Sequence, residues 1–228
     1  MSARSLTQTV NSMLIHDPHS AALCQQLRQT VRERRRRLSA PQQHAAANAL
    51  AERALQHPHF QQAQHIALYL AVDGELDTQP LIAALWQRNK QVYLPVLHPF
   101  SRGHLLFLAY RPDSPLRANR FGILEPELDL HAVCPLHQLE LIATPLVAFD
   151  AHGHRLGMGG GFYDRTLAPA HHSSQLHTLS MAHAARPYPI GLAHDCQQVA
   201  HIPRQIWDIP LPEILTPTQH WDWRNHKR

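Results

Sequence analysis

Apolar positions near the start of the chain, Leu23, Leu27, Val31 and Leu38, recur at mostly four-residue spacing. That period predicts an amphipathic helix from Ala21 whose other face carries arginines. Ser39 with Gln42 three residues on forms a capping box, and Pro41 is tolerated in a first turn, so a second helix opens there. It runs through Ala46, Leu50 and Ala54 and stops before Pro58. Residues 1–20 show no periodicity and are expected to be a loose extension, with 21–228 forming one domain.

Beyond the helix pair the texture changes to short, continuous apolar runs. Residues 65–70, His-Ile-Ala-Leu-Tyr-Leu, read as a buried strand. Thr78 caps a helix through Leu81, Leu85 and Trp86 that ends near Asn89. Residues 92–96, 105–110, 139–144 and 190–193 read as further strands. Continuous apolar strands alternating with helical patterns predict an α/β fold, its sheet covered on both faces. Ser180-Met181-Ala182-His183 echoes Gly191-Leu192-Ala193-His194, and only one of the two is expected to occupy a sheet position.

Composition narrows the class. Of 228 residues, 44% are hydrophobic and 17% charged, which excludes a disordered tail or a coiled coil. The longest near-apolar stretch, residues 141–149, falls short of the ~20 residues that span a bilayer, and Pro145 interrupts it. Met13-Leu14-Ile15 is too short for a secretory leader. Cys24, Cys134 and Cys196 are odd in number and far apart, which suits a reducing, cytoplasmic setting and excludes a disulfide framework. The net charge of +4 is concentrated: Arg28, Arg32, Arg34, Arg35, Arg36 and Arg37 face only Glu33, and the rest of the chain is close to neutral. Such a run suits a nucleic acid, a phosphorylated ligand or solvent alone. Interleaved aromatics and RNA-binding or zinc-finger patterns are missing, which counts against nucleic acid. Histidine is abundant, at 20 residues, yet shows no ligand spacing such as HExxH, so no histidine metal site is expected.

The sharpest feature is a cluster of glycines. Five of nine, Gly153, Gly157, Gly159, Gly160 and Gly161, fall within nine residues that follow a strand and lead into a helix. Glycines let backbone N–H groups converge on an anion, and the helix start adds partial positive charge. Arg155 supplies a full charge beside them. The segment is neither a Walker A loop nor the dinucleotide fingerprint, whose third glycine is here Phe162. A phosphate cradle of another type remains. Asp164, near the helix start, caps it or holds a magnesium ion on phosphate oxygens. Asp208 is an acid in an otherwise apolar stretch, and a paired or metal-linked role suits it.

Taken together, the ordered motifs resemble the 5-formyltetrahydrofolate cyclo-ligase family from about Cys24 to Trp221. They are the basic helix from Leu27-Arg28 to Leu38, Asp73-Gly74-Glu75-Leu76-Asp77-Thr78, Tyr93-Leu94-Pro95, Phe121-Gly122-Ile123-Leu124-Glu125-Pro126, the glycine segment, and Trp207-Asp208. The resemblance implies a three-layer α/β/α sandwich around a mainly parallel, mixed sheet. It also implies ATP- and magnesium-dependent closure of 5-formyltetrahydrofolate, with or without a polyglutamate tail, to the 5,10-methenyl form. ATP would phosphorylate the formyl oxygen, N10 would attack the activated carbon, and phosphate would leave. By position, ATP would meet Arg28, Arg155, Leu156, Gly157, Met158, Gly159, Gly160, Gly161, Phe162 and Tyr163, with Arg155 and Tyr163 catalytic. Folate would meet Leu70, Glu75, Phe121 and residues 159–162, and Asp164 and Asp208 would serve magnesium. Cys24 stands where many members carry a lysine, which motivates the alternative of a weakened, binding-only relative.

Overall fold

A computed structural model describes residues 18–168, 187–203 and 208–224. Helix α1 (Pro18–Arg36) begins three residues ahead of the predicted start. Its inward stripe is not the expected one. Leu23 is exposed, whereas Cys24, Val31 and Arg35 are buried with Leu27 partly covered, so the stripe runs 24–27–31–35. A cation therefore occupies a core position, and the reason lies in the acids it meets, described below.

Helix α2 (Ala40–Gln56) starts at the predicted capping box: Gln42 N donates to Ser39 Oγ, and Ser39 N donates to Gln42 Oε1 at 2.8 Å. Its many alanines lose little side-chain entropy in a helix and bring Ala47, Leu50, Ala51 and Ala54 into the core. His57 ends α2 and precedes the short α3 (Pro58–Gln62). Strand β1 (His65–Ala67) follows, then α4 (Gln79–Gln87) and β2 (Gln91–Leu97). Thr78 precedes α4 as predicted but makes no side-chain cap; its hydroxyl donates instead to the Tyr69 carbonyl.

Next come β3 (Leu105–Ala109), a small hairpin of β4 (Leu116–Ala118) and β5 (Leu124–Pro126), β6 (Val133–Cys134) and β7 (Leu141–Pro145). A second hairpin joins β8 (Ala148–Phe149) to β9 (Arg155–Leu156), and residues 162–168 are helical (α5). The described chain closes with β10 (Tyr188–Leu192), β11 (Glu213–Leu215) and β12 (His220–Asp222). Gly191 takes the sheet position, where a Cβ would come within 2.7 Å of Ile214 and 2.8 Å of Leu211. Its echo, Ser180–His183, lies outside the described residues, as do Trp207 and Pro169.

The eight-stranded sheet runs β12-β11-β10-β7-β1-β2-β3-β6. Its middle strands, from β11 to β2, are parallel; β12 and β3 run antiparallel to them, and β6 pairs antiparallel with β3. Alternation along β1 divides the core: Ile66 joins Leu50, Leu81, Leu85 and Phe60 under α2 to α4. Ala67 faces the other way, with Tyr93, Phe107, Ile142 and Leu167 of α5. Helices thus cover both faces, as the apolar strand patterns require.

Strands β1 and β7 are parallel neighbours. Through α4 the chain leaves β1 to one side, for β2, while α5 leads from β7 to the other, for β10. Divergent connections open a crevice at the carboxyl ends of such a pair. Ser39→Ala should lower stability by about 1 kcal/mol by removing the cap of α2, measured by urea denaturation; an unchanged midpoint would contradict the cap's role.

Candidate active site

A cleft of about 650 Å³ lies at that crevice. Tyr69 and Leu70 just after β1, Leu94 and Pro95 within β2, and Pro145 and Leu146 at the end of β7 line one part. The β4–β5 hairpin contributes Phe121 and Glu125, and the glycine segment contributes Gly157, Gly160 and Gly161.

The β8–β9 hairpin presents the glycine segment, and Asp150 knots its turn. Fully buried, this carboxylate accepts from His152 N, His154 N, His154 Nδ1 and Ile202 N at 2.9–3.1 Å. Burial alone would raise its pKa, but the His154 and backbone hydrogen bonds prevail and lower it. Gly153 sits at φ +84°, where a Cβ would strike the Trp223 ring at 2.9 Å.

Arg155 leaves this hairpin nearly buried. Its guanidinium donates to Ile209 O and to Asp164 Oδ1, which joins the hairpin, α5 and the segment before β11. Burial lowers the Arg155 pKa, while Asp164 and Asp208 oppose that shift. Its charge is thus shared with two acids. Arg28, on α1, donates from Nε to Gly157 O at 2.8 Å. Gly159 lies next to it, at φ +97°, and a Cβ there would be 3.6 Å from the Arg28 guanidinium. Gly161 also has positive φ, +62°. Gly157 is different: nothing lies within 4 Å of its would-be Cβ.

The arginine run is not one solvated face. Arg35 is fully buried and donates to Asp73 O at 3.0 Å, with Asp73 Oδ2 at 3.4 Å and Glu75 Oε1 4.0 Å away. Arg32 and Arg36 also grip Asp73. The residues held, Asp73 and Gly74, both have positive φ, 52° and 72°. This turn delivers Glu75 into the cleft. Burial pushes the Glu75 pKa up to about 7, against the lowering influence of the Val72 N–H and Arg35.

Tyr163 lines the same cleft. Its hydroxyl is buried and makes no hydrogen bond among the described residues, and burial with the nearby Glu75 carboxylate pushes its pKa far up. Such an unsatisfied hydroxyl is costly unless a ligand group completes it.

The structure therefore brings together Leu70, Glu75, Phe121, Arg155, Gly157, Met158, Gly160, Gly161, Phe162, Tyr163 and Asp164 around one cavity. Arg28 and Gly159 adjoin it, and Asp208 lies near Arg155 and Cys24 without lining it. Leu156 does not belong: it is buried in a small core with Cys24, Val31 and Val147. Cys24 itself belongs to that core, with its pKa raised by burial. Phe121 is 55% exposed and meets Phe162 edge-on at 6.1 Å, so it is a rim residue rather than a core aromatic. Sequence reasoning did not single out Arg35 or Tyr69. For Arg35 a signal existed, because it stands one helical turn beyond Val31 on the apolar stripe.

An open, doubly wound α/β sheet with a glycine-rich segment at its strand-end cleft defines an enzyme-like fold suited to a phosphorylated ligand. Comparison with known proteins makes the class specific. The model of the "5-formyltetrahydrofolate cyclo-ligase family" matches residues 21–217. The 5-formyltetrahydrofolate cyclo-ligase of Escherichia coli K12 is 50% identical over 193 residues, 85% of this chain and 100% of that one. Its Haemophilus influenzae counterpart is 49% identical over 191 residues, 84% and 96% of the two chains. The solution structure of Aquifex aeolicus 5,10-methenyltetrahydrofolate synthetase superposes with a TM-score of 0.72 at 26% identity, covering 90% of this chain and 95% of that one. The chain belongs to the 5-formyltetrahydrofolate cyclo-ligase family.

Glu75 makes stability depend on pH. Between about 4.5, its ordinary pKa, and about 7, the folded protein keeps a proton that the unfolded chain has released. The unfolded state then binds fewer protons, so this group's contribution falls as pH rises across that window. Glu75→Gln should remove that part of the decline, measured by denaturation of the unliganded protein at several pH values. A slope identical to wild type would refute the buried, protonated carboxyl.

Proposed function

We infer that this protein catalyses ATP-dependent cyclisation of 5-formyltetrahydrofolate to 5,10-methenyltetrahydrofolate, releasing ADP and phosphate. The observation that carries the reading is coincidence: every stretch lining the cleft falls inside the family match, which spans 21–217. The pterin lies against Leu70 and Phe121, with Glu75 accepting its N–H groups; an ionised carboxylate accepts, and a protonated one donates. ATP lies along the glycine segment, with Arg28 on its outer side. The γ-phosphoryl group moves to the formyl oxygen, N10 attacks the formyl carbon, and the C–O bond breaks as phosphate leaves. Such chemistry asks for positioning and charge stabilisation more than for a nucleophile. Tyr163 supplies its unpartnered hydroxyl to the reacting oxygens, and Arg155 supplies positive charge beside them.

Asp164 and Asp208 flank Arg155 and offer the hard carboxylate oxygens that Mg²⁺ takes. Bound there, Mg²⁺ would neutralise phosphate charge. Three unpaired thiols fit a reducing, cytoplasmic setting for this reaction. Arg32, Arg35 and Arg36 are engaged by Asp73, which favours a structural role for the arginine run over a nucleic-acid surface.

The test is formation of the methenyl chromophore by purified protein with 5-formyltetrahydrofolate, ATP and Mg²⁺. Wild type should turn over, and chelation of Mg²⁺ should stop it. Gly157→Ala should leave the thermal midpoint close to wild type, since its Cβ meets only open space, yet raise the KM for ATP roughly tenfold or more, as expected where backbone closely approaches a ligand. Failure of wild type to form the chromophore at saturating substrates would overturn the reading.

A further inference from the structure

Away from the cleft, two histidines from separate elements converge on one oxygen atom of a buried glutamate. Glu213, on β11, is fully buried. Its Oε2 meets His57 Nε2, between α2 and α3, at 2.8 Å and His220 Nε2, on β12, at 2.5 Å. All three ligand atoms lie within 4.8 Å of one another. None of these residues lines the cleft. We propose that His57, Glu213 and His220 bind a divalent cation of the zinc class.

Two imidazole nitrogens with one carboxylate oxygen form a borderline donor set that suits Zn²⁺ and its first-row neighbours, whereas Mg²⁺ and Ca²⁺ prefer oxygen alone. The carboxylate is already oriented, because the Tyr188 hydroxyl donates to Glu213 Oε1 at 2.5 Å. Holding a ligand's second atom in this way is how outer residues steer metal ligands. Local charge also favours a cation. Arg224 lies 3.2 Å from Glu213 Oε1 but is gripped by both Asp222 oxygens, at 2.9 and 2.6 Å. Two carboxylates therefore face one guanidinium, so the acids outnumber the arginine.

Metal-free, both rings donate Nε2–H to the shared oxygen. With the cation bound, each carries its proton on Nδ1 and gives its Nε2 lone pair to the metal. Water completes the coordination from the side on which His220 is 33% exposed. His59 adjoins the triad, its Nε2 3.6 Å from Glu213 Oε1. A second convergence, Asp150 with His152 and His154, is different. There three backbone N–H groups occupy the carboxylate, and His152 is 69% exposed, which is turn construction rather than a cation site. The Glu213 cation would fasten the α2–α3 joint to the sheet edge at β12, so its effect is on stability rather than on chemistry.

Full-length protein, stripped with a chelator, is titrated separately with Zn²⁺ and Co²⁺ at neutral pH. One equivalent of Zn²⁺ should bind and raise the melting temperature, and Co²⁺ should give the visible bands of a low-coordinate site. His220→Gln should weaken Zn²⁺ binding at least roughly tenfold and abolish the melting shift. His152→Gln with His154→Gln should leave both unchanged. A zinc site of unaltered affinity in His220→Gln would overturn the proposal. So would a featureless Co²⁺ spectrum of the unmodified chain, which is decisive even if the variant fails to fold.

Discussion

Everything at the cleft depends on two parallel strands that lie side by side while the chain departs from them in opposite directions. Strands β1 and β7 pair through Ile66–Leu141 and Ala67–Ile142, after which β1 ends while β7 runs on beside β10 to Pro145. Tyr69 and Leu70 beyond β1, and Pro145 and Leu146 at the end of β7, meet at the same carboxyl edge and line the cleft together. Among the described residues α4 and α5 serve opposite faces and opposite neighbours, which leaves the gap between β1 and β7 open. The opening is thus a product of connectivity, and the surrounding loops decide what it holds.

Buried arginines organise those loops. Arg35 holds the Asp73–Glu75 turn from beneath, and Arg155 joins the β8–β9 hairpin to α5 and to Ile209. A buried cation is costly unless acids and carbonyls surround it, so each arginine demands one local arrangement. Removing Arg35 would take the nearby cation from the buried Glu75, and removing Arg155 would take one from the partly exposed Asp164. The same burial that makes the arrangement specific also holds the Glu75 carboxyl near neutrality, poised between accepting and donating hydrogen bonds.

Much of this was legible in the sequence where one local rule decided the outcome. Ser39 and Gln42 fixed the start of α2, continuous apolar runs marked the sheet, and the crowding of glycines at 153–161 pointed to the loop. Legibility failed where a distant partner decided. Arg35 reads as one more surface charge until Asp73 is placed against it, and Leu23 reads as core until that exchange displaces it. Leu156 lies in the glycine segment yet packs into a separate core, because a β-strand points alternate side chains to opposite faces. The convergence on Glu213 left no trace in spacing, since its histidines come from an interhelix joint and an edge strand.

The claim at the centre is that one crevice, at the ends of β1 and β7, holds both nucleotide and reduced pterin. Amide hydrogen exchange measured with and without ATP and 5-formyltetrahydrofolate tests it most directly. Slowed exchange at residues 69–76 and 119–125 with 5-formyltetrahydrofolate, and at 157–163 with ATP, is the predicted result. Protection centred elsewhere, with these stretches unchanged, would contradict the account.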